Sequence, residues 1–494
     1  MNGTRAFFLL LLLTVLLPQL SLAHEVDDSK EHVIHITATG FEPRNLEINV
    51  GETVTFENTD TEEHWPASNI HPTHTVYPGT DISKCGTDAG HDMFDACRGL
   101  KTDEEFSFTF EKVGEWKFHD HLVPKFSGRI TVKGDGSEIE KEDTTALSVK
   151  IVRWFRVTFK KIEYALFPGK LDRMLANTNI FDVVKDDRTS NREGLRELIA
   201  IVGPEKVTTD LLAESEGGGS LIDCHQEAHQ VGRVAYEVLG ARVFGEGSAL
   251  CHSGFYHGAM EAFLSEHGTA NIADDIENVC SQFKTNFSLF ECLHGTGHGV
   301  MAYENYDMPE ALKLCGKLKT QWDQQSCYGG VFMENIVAAQ GLGAIPGHDT
   351  EWVNKDLQYP CNALSKGYAT QYECYQMQTS WMLTLTNWNF DKVIGACYQA
   401  PRNMIPVCFR SLGRDIAGHT MRNPDDIVAL CKMVPSGENR LSCIIGALNV
   451  IVDHWGPTLK DQGDTFCATT TADTRKECYA TLEGRKHEIF DTRS

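Results

Sequence analysis

The chain has 494 residues, 69 acidic against 45 basic, a formal net charge of −24 and sixteen cysteines. Such an acidic surplus excludes the clustered Lys and Arg that a phosphate backbone demands, so no nucleic-acid partner is expected, while cations are mildly attracted. The length accommodates two or three domains with full cores, and an even cysteine count in an exported chain reads as disulfides.

Residues 1–23, MNGTRAFFLLLLLTVLLPQLSLA, carry one arginine, an apolar run and small residues at Ser21 and Ala23. They predict a signal peptide cleaved after Ala23, and no later apolar run is long enough to span a bilayer. The expected product is secreted or periplasmic. Cleavage there would expose His24, whose amine and imidazole can chelate copper, although a frayed terminus is the ordinary state.

From His32 the chain predicts strands: HVIHITATG, VTF at Val54 to Phe56, alternating Phe106, Phe108 and Phe110, and Arg129 to Val132. Strict alternation fails in the first, where Val33, Ile34 and Ile36 are apolar, so that strand rests on β-branched composition. Two segments between these strands, NTDTEEHWPASNIHPTHTVYP and WKFHDHLVPKFSG, hold His64, His71, His74, His119 and His121. His119 and His121 alternate along one extended segment and so share a side of it.

A histidine after an early sheet segment, further histidines before the last strand and a glycine opening that strand resemble the cupredoxin family. This is the plastocyanin- and azurin-like β-sandwich with copper at one end, and the EfeO-type periplasmic relatives resemble the chain in particular. The resemblance covers about residues 32–133 and implies an all-β sandwich over 24–133, with His64 as first histidine ligand and His121 as second. Where the family has its axial methionine this chain has Phe126, and where it has its thiolate stands Phe118 or His119. Without sulfur, a blue-copper redox role is not implied. What remains is an all-imidazole set, His64, His119 and His121 with His71 and His74 on the long insertion, suited to Cu(II), Zn(II) or Fe. The competing reading has these histidines closing the sandwich end by bonding loop carbonyls. Cys85 and Cys97 lie within the insertion and are expected to bond to each other, holding His71 and His74 near the site.

Residues 134–145, GDGSEIEKEDTT, predict a linker, and 146–223 an amphipathic helical connector. Its first helix places Leu147, Ile151, Phe155, Phe159, Ile162 and Leu166 on one face, with Lys150, Arg153, Lys160 and Lys161 mostly opposite. Over 146–167 it docks on its own domain or lies on an anionic membrane surface. From 224 to 494 the chain is Cys/His-rich and helical. Six cysteine pairs recur: Cys280 and Cys292, Cys315 and Cys327, Cys361 and Cys374, Cys397 and Cys408, Cys431 and Cys443, Cys467 and Cys478. Each gap is 11 to 13 residues, which predicts helical hairpins stapled by disulfides and stacked as an α-solenoid or curved array. Cys224 and Cys251 are left over and assigned to each other. The expected fold is thus multidomain, a cupredoxin-like sandwich followed by an all-α, disulfide-stapled repeat domain.

The first helical repeats carry His225 and His229, His252 and His257, and His294 and His298; later repeats keep the cysteines and lose the histidines. Histidines four apart on a helix face one ion, and His225/His229 and His294/His298 have that spacing. Glu261 and Glu304 are candidate carboxylates for the same site. Zinc, iron or a haem held by two axial imidazoles are the candidate occupants, although no CxxCH motif is present. The structural alternative is a set of core histidines bonded to carbonyls, with Gly295, Gly297 and Gly299 allowing close helix packing. No GxSxG nucleophile elbow is present, and the Gly217–Ser220 run lacks the GK[ST] of a phosphate cradle. Asn286-Phe287-Ser288 is a glycosylation sequon. The sequence therefore points to an exported copper-binding protein with metal transfer or redox coupling between two sites. The alternatives are a metal-dependent oxidase or hydrolase using the helical cluster, and a protein-binding helical scaffold.

Overall fold

The structure, a computed structural model, describes residues 32–69, 74, 76–123, 125–134, 180–184, 189–217, 224–343, 350–364, 367–435 and 437–493, with positions 158, 159, 163 and 166 between them. The expected signal peptide, His24, His71, all but Gly134 of the linker and nearly all of the stretch 146–167 lie outside the described residues.

Two four-stranded sheets form the N-terminal sandwich. One runs in the order β2 (Gly40–Glu42), β1 (His32–Thr37), β4 (Thr53–Asn58), β6 (Glu105–Thr109); the other runs β3 (Asn45–Asn49), β8 (Ser127–Lys133), β7 (Gly114–Asp120), β5 (Pro66–Ser68). In β1, Ile34 and Ile36 are buried while His35 points out to Glu57, so the pleat sorts a segment whose alternation is imperfect in sequence. Phe56, Phe94, Phe110 and Phe118 fill the space between the sheets. Phe94 comes from the insertion, which contributes to the core and forms short 3-10 turns at Ile82–Lys84 and Asp88–Gly90.

Among the described residues from 224 onward, the helical half is built on eight long helices: α1 (His225–Leu239), α2 (Gly254–His267), α3 (Asn286–Tyr303), α4 (Gln321–Ala339), α5 (Tyr368–Leu385), α6 (Ile405–His419), α7 (Glu438–Trp455) and α8 (Ala472–Phe490). Each packs against the next. Short helices ending on Cys280, Cys315, Cys397 and Cys431 precede α3, α4, α6 and α7, and each terminal cysteine bonds to the one early in the long helix that follows. Cys361–Cys374, Cys467–Cys478, Cys224–Cys251 and Cys85–Cys97 complete eight disulfides. Part of the expected connector belongs to this body: Leu195, Leu198, Ile199, Val207 and Leu211, from helices Thr189–Val202 and Pro204–Gly217, enter its core.

The expected curved array closes on itself. The backbone N–H of Arg493 donates to Lys284 O at 2.7 Å, the Arg485 guanidinium lies over the Phe287 ring, and His454 on α7 meets His252 ahead of α2 at 3.2 Å. Rotation accumulated from unit to unit brings the last helix back to the start of α3.

The two halves meet where α3 ends. Glu304 is buried against Lys117 of β7 and accepts from Arg129 of β8 at 3.0 Å, and Arg44 pairs with Asp307 at 3.1 Å. Glu304 was expected in the helical metal site; the structure places it here instead, because it caps α3 beyond the turns that face the histidines.

Candidate metal centres

Strand β7 ends in Phe118-His119-Asp120 with His121 directly after it, and the pleat separates these side chains. Phe118 enters the core, and Asp120 faces His64, whose Nδ1 lies 2.5 Å from its carboxylate. The other ring nitrogen of His64 lies 3.1 Å from Asp60. His64, implied as first ligand by the resemblance, is therefore held between two carboxylates, and the structure does not bring it together with His119 and His121. The side chain facing it from β7 is a carboxylate, neither Phe118 nor His119.

His119 and His121 instead converge with His74, whose position on the insertion has a left-handed φ of 60°. The ligand atoms of the three lie within 4.8 Å of one another. His74 Nδ1 donates to Asp95 at 2.6 Å, which leaves its Nε2 facing His121 Nδ1 at 2.9 Å. His119 Nδ1 donates to Asn69 Oδ1 at 3.1 Å and so presents Nε2. Asp95 also accepts from Trp65 Nε1 and the Cys97 N–H. The Cys85–Cys97 bond thus restrains the loop that orients His74. Burial, then the charge of His74, pushes the His121 pKa down and favours the neutral, ligating form.

The second group lies between α1, α2, α3 and α4, which touch backbone to backbone. A Cβ on Gly258 would fall 1.9 Å from His229 O, one on Gly330 1.9 Å from His294 O, and one on Gly297 2.1 Å from Cys327 O. That closeness brings His225, His229, His257, His294 and His298 together, with ring centroids of successive neighbours 4.6–5.3 Å apart.

Carboxylates and a carbonyl hold the outer nitrogens. His229 Nδ1 donates to Glu261 at 2.8 Å, His298 Nδ1 to Glu334 at 2.9 Å and His225 Nδ1 to Cys251 O at 3.0 Å. This arrangement fixes tautomer and ring orientation behind a metal ligand. The inner Nε2 atoms of His225 and His229 then face each other at 3.2 Å, both as lone pairs, a contact that a shared cation relieves. His257 Nδ1 and Nε2, His294 Nδ1 and His298 Nε2 are buried without a hydrogen bond among the described residues. Glu291 approaches His257 Nε2 only to 3.4 Å, and Met333 Sδ lies 3.4 Å from His294 Nε2. Buried polar atoms normally find partners, so several nitrogens aimed at one another are a donor set that a cation could satisfy. Burial holds His229 at a pKa of about 3 and pushes His257 and His294 well below the ordinary range. Burial alone would raise Glu261, but Arg233 and His229 overcome it and hold that carboxyl at about 2.

The sets His225/His229/His257, His257/His294/His298 and His229/Glu261/His298 each converge within 4.8 Å. His252, sixth of the expected cluster, stands at its edge beside His454. The rings touch, whereas two axial imidazoles on opposite faces of a haem stand farther apart, so the cluster suits a bare ion and not the haem considered from sequence. Sequence reasoning missed Glu334, although it stands seven residues after Cys327, almost where His298 stands after Cys292. Asp95, Asn69 and His454 carry no local signal, because their partners are distant in the chain.

No protein-family model and no curated protein matches the chain. Among solved structures, a purple cupredoxin from Nitrosopumilus maritimus is 28% identical over 21% of this chain and all of its own length, with a TM-score of 0.16. A mutant of amicyanin in its reduced state is 23% identical over 22% of this chain and 87% of its own, also at 0.16. Neither of these two descriptions names an EfeO-type protein. Among the described residues no helix is long and apolar enough to cross a membrane.

Proposed function

We propose that this chain is an exported metal-binding protein with one imidazole site in each half, and that it passes metal or electrons between them. The observation that carries this reading is the helical cluster, where buried nitrogens of His257, His294 and His298 have no hydrogen bond among the described residues while carboxylates behind His229 and His298 hold their rings. In the sandwich, His74, His119 and His121 would hold copper; three imidazoles without sulfur suit Cu(II). In the helical half, His225, His229, His257, His294 and His298, with Glu261 adjoining, suit zinc, iron or copper. A metal there would supply Lewis-acid or one-electron chemistry, and the chain's own part is to hold neutral imidazoles in place and exclude water. Eight disulfides suit an oxidising compartment outside the cytoplasm.

Metal content and electron paramagnetic resonance of the full chain after Cu(II) loading test this reading. His119→Ala with His121→Ala should abolish one nitrogen-coupled signal, and His257→Ala with His298→Ala the other. Undiminished copper in either double variant would exclude that site, and a parent chain that retains no metal after desalting would exclude both.

A further inference from the structure

The turn that follows α3 touches the supporting groups of both sites. Asn69 Oδ1 accepts from His119 Nδ1 at 3.1 Å, and the Asn69 amide donates to Asn305 Oδ1 at 2.9 Å, crossing from sandwich to helical half. The next residue, Tyr306, is buried, and its hydroxyl donates to Glu334 Oε1 at 2.7 Å. The other oxygen of Glu334 accepts from His298 Nδ1 at 2.9 Å. Every bond in this series has one consistent donor, and one peptide unit joins its two halves.

Asn305 and Tyr306 both have left-handed φ, at 50° and 59°. The same two-residue turn recurs after α5 at Asn387–Trp388 and after α6 at Met421–Arg422. The backbone therefore accepts other side chains, and the turn does not itself require an asparagine followed by a tyrosine. Those two side chains answer to what they touch.

We infer that the Asn305–Tyr306 turn is a positioning element that couples the two metal sites, an inference that rests on the two-site reading above. A cation on His119 Nε2 makes Nδ1–H a stronger donor to Asn69, whose polarised amide grips Asn305 more firmly. With the turn held, Tyr306 keeps Glu334 aimed at His298, whose Nε2 stays directed into the cluster. By linkage each site then tightens the other by the same factor.

The test uses the full chain, with copper as the only metal, and reads the Cu(II) affinity of the helical site by chelator competition. In the parent, blocking the sandwich site with His121→Ala should weaken the helical site about fivefold or more. In Asn305→Gly, which tolerates the left-handed backbone, and in Tyr306→Phe, the same block should change the affinity less than twofold. Asn305→Asp keeps the acceptor and should restore the dependence. Arg44→Ala, which loosens the contact between halves at Asp307 but removes no bond of the series, should leave it intact. A dependence equally large in Asn305→Gly and Tyr306→Phe, or absent from the parent while both sites bind, overturns the coupling alone. A parent chain without copper at one of the sites overturns the two-site reading with it.

Discussion

His229 shows how burial sets chemistry at a single side chain. Its pKa of about 3, against an ordinary value near 6.5, reflects an imidazole enclosed by helices, with Glu261 compensating only part of the lost hydration. In the metal-free protein the folded state resists protonation that the unfolded state accepts. As pH falls below about 6.5 the unfolded chain binds protons first, so stability rises with pH across that window and is lost on acidification down to about pH 3. A shift of this size corresponds to up to about 5 kcal/mol for this residue. His257 and His294 are displaced in the same direction. The thermal midpoint of the metal-free chain should therefore fall steeply between pH 7 and 4, and His229→Gln should flatten the slope. A midpoint independent of pH in that range would show that these rings are hydrated.

At the scale of elements, the histidine cluster depends on helices that approach more closely than side chains normally allow. Gly258 faces the carbonyl of His229 so closely that any Cβ collides with backbone, which cannot turn aside. Gly258→Ala should force α1 and α2 apart and cost about 3 kcal/mol or more. Gly395 lies on the exposed face of the short helix Phe390–Cys397, with nothing near its Cβ position. Gly395→Ala should stabilise by up to about 1 kcal/mol through helix propensity alone. Urea unfolding of the two variants checks both, and equal effects would mean that the close approach of α1 and α2 is not what the glycine serves. Both residues are glycines within helical patterns, so sequence alone does not separate them; the neighbouring helix does.

At the scale of the whole molecule, the contact between halves centres on Lys117 and Glu304, each almost fully buried. Removing one partner of a buried pair strands the other charge, so Glu304→Ala should cost about 3–5 kcal/mol, felt chiefly at the contact between halves. Lys117→Met combined with Glu304→Leu should cost less, since the buried ammonium goes with its partner and Arg129, a quarter exposed, keeps Glu115. Calorimetry should resolve separate transitions for sandwich and helices in the single variant and a more cooperative profile in the double. A single variant as cooperative as the parent would place the strength of the contact elsewhere.

The sequence by itself determined the division into a β half and a helical half, because period-two and helical patterns are local. It also determined the partners of the six repeat cysteine pairs, because a spacing of 11 to 13 residues spans one turn between consecutive helices, whereas Cys224 and Cys251 were paired only as the two left over. It pointed to the histidine-bearing segments as well. It did not determine which histidines meet. His119 and Asp120 are adjacent, yet the pleat sends them to opposite faces, one toward His74 and the other toward His64. Glu304 looked like a ligand by its distance along the chain from His298 and became a partner of Lys117, while Glu334, one repeat later, came to hold His298. Closure of the helical array and the meeting of His252 with His454 follow from rotations too small to read from any one repeat. Local patterns fix elements because they act through neighbours along the chain. Ligand sets and interfaces are fixed by contacts between residues tens to hundreds of positions apart, which only the tertiary structure decides.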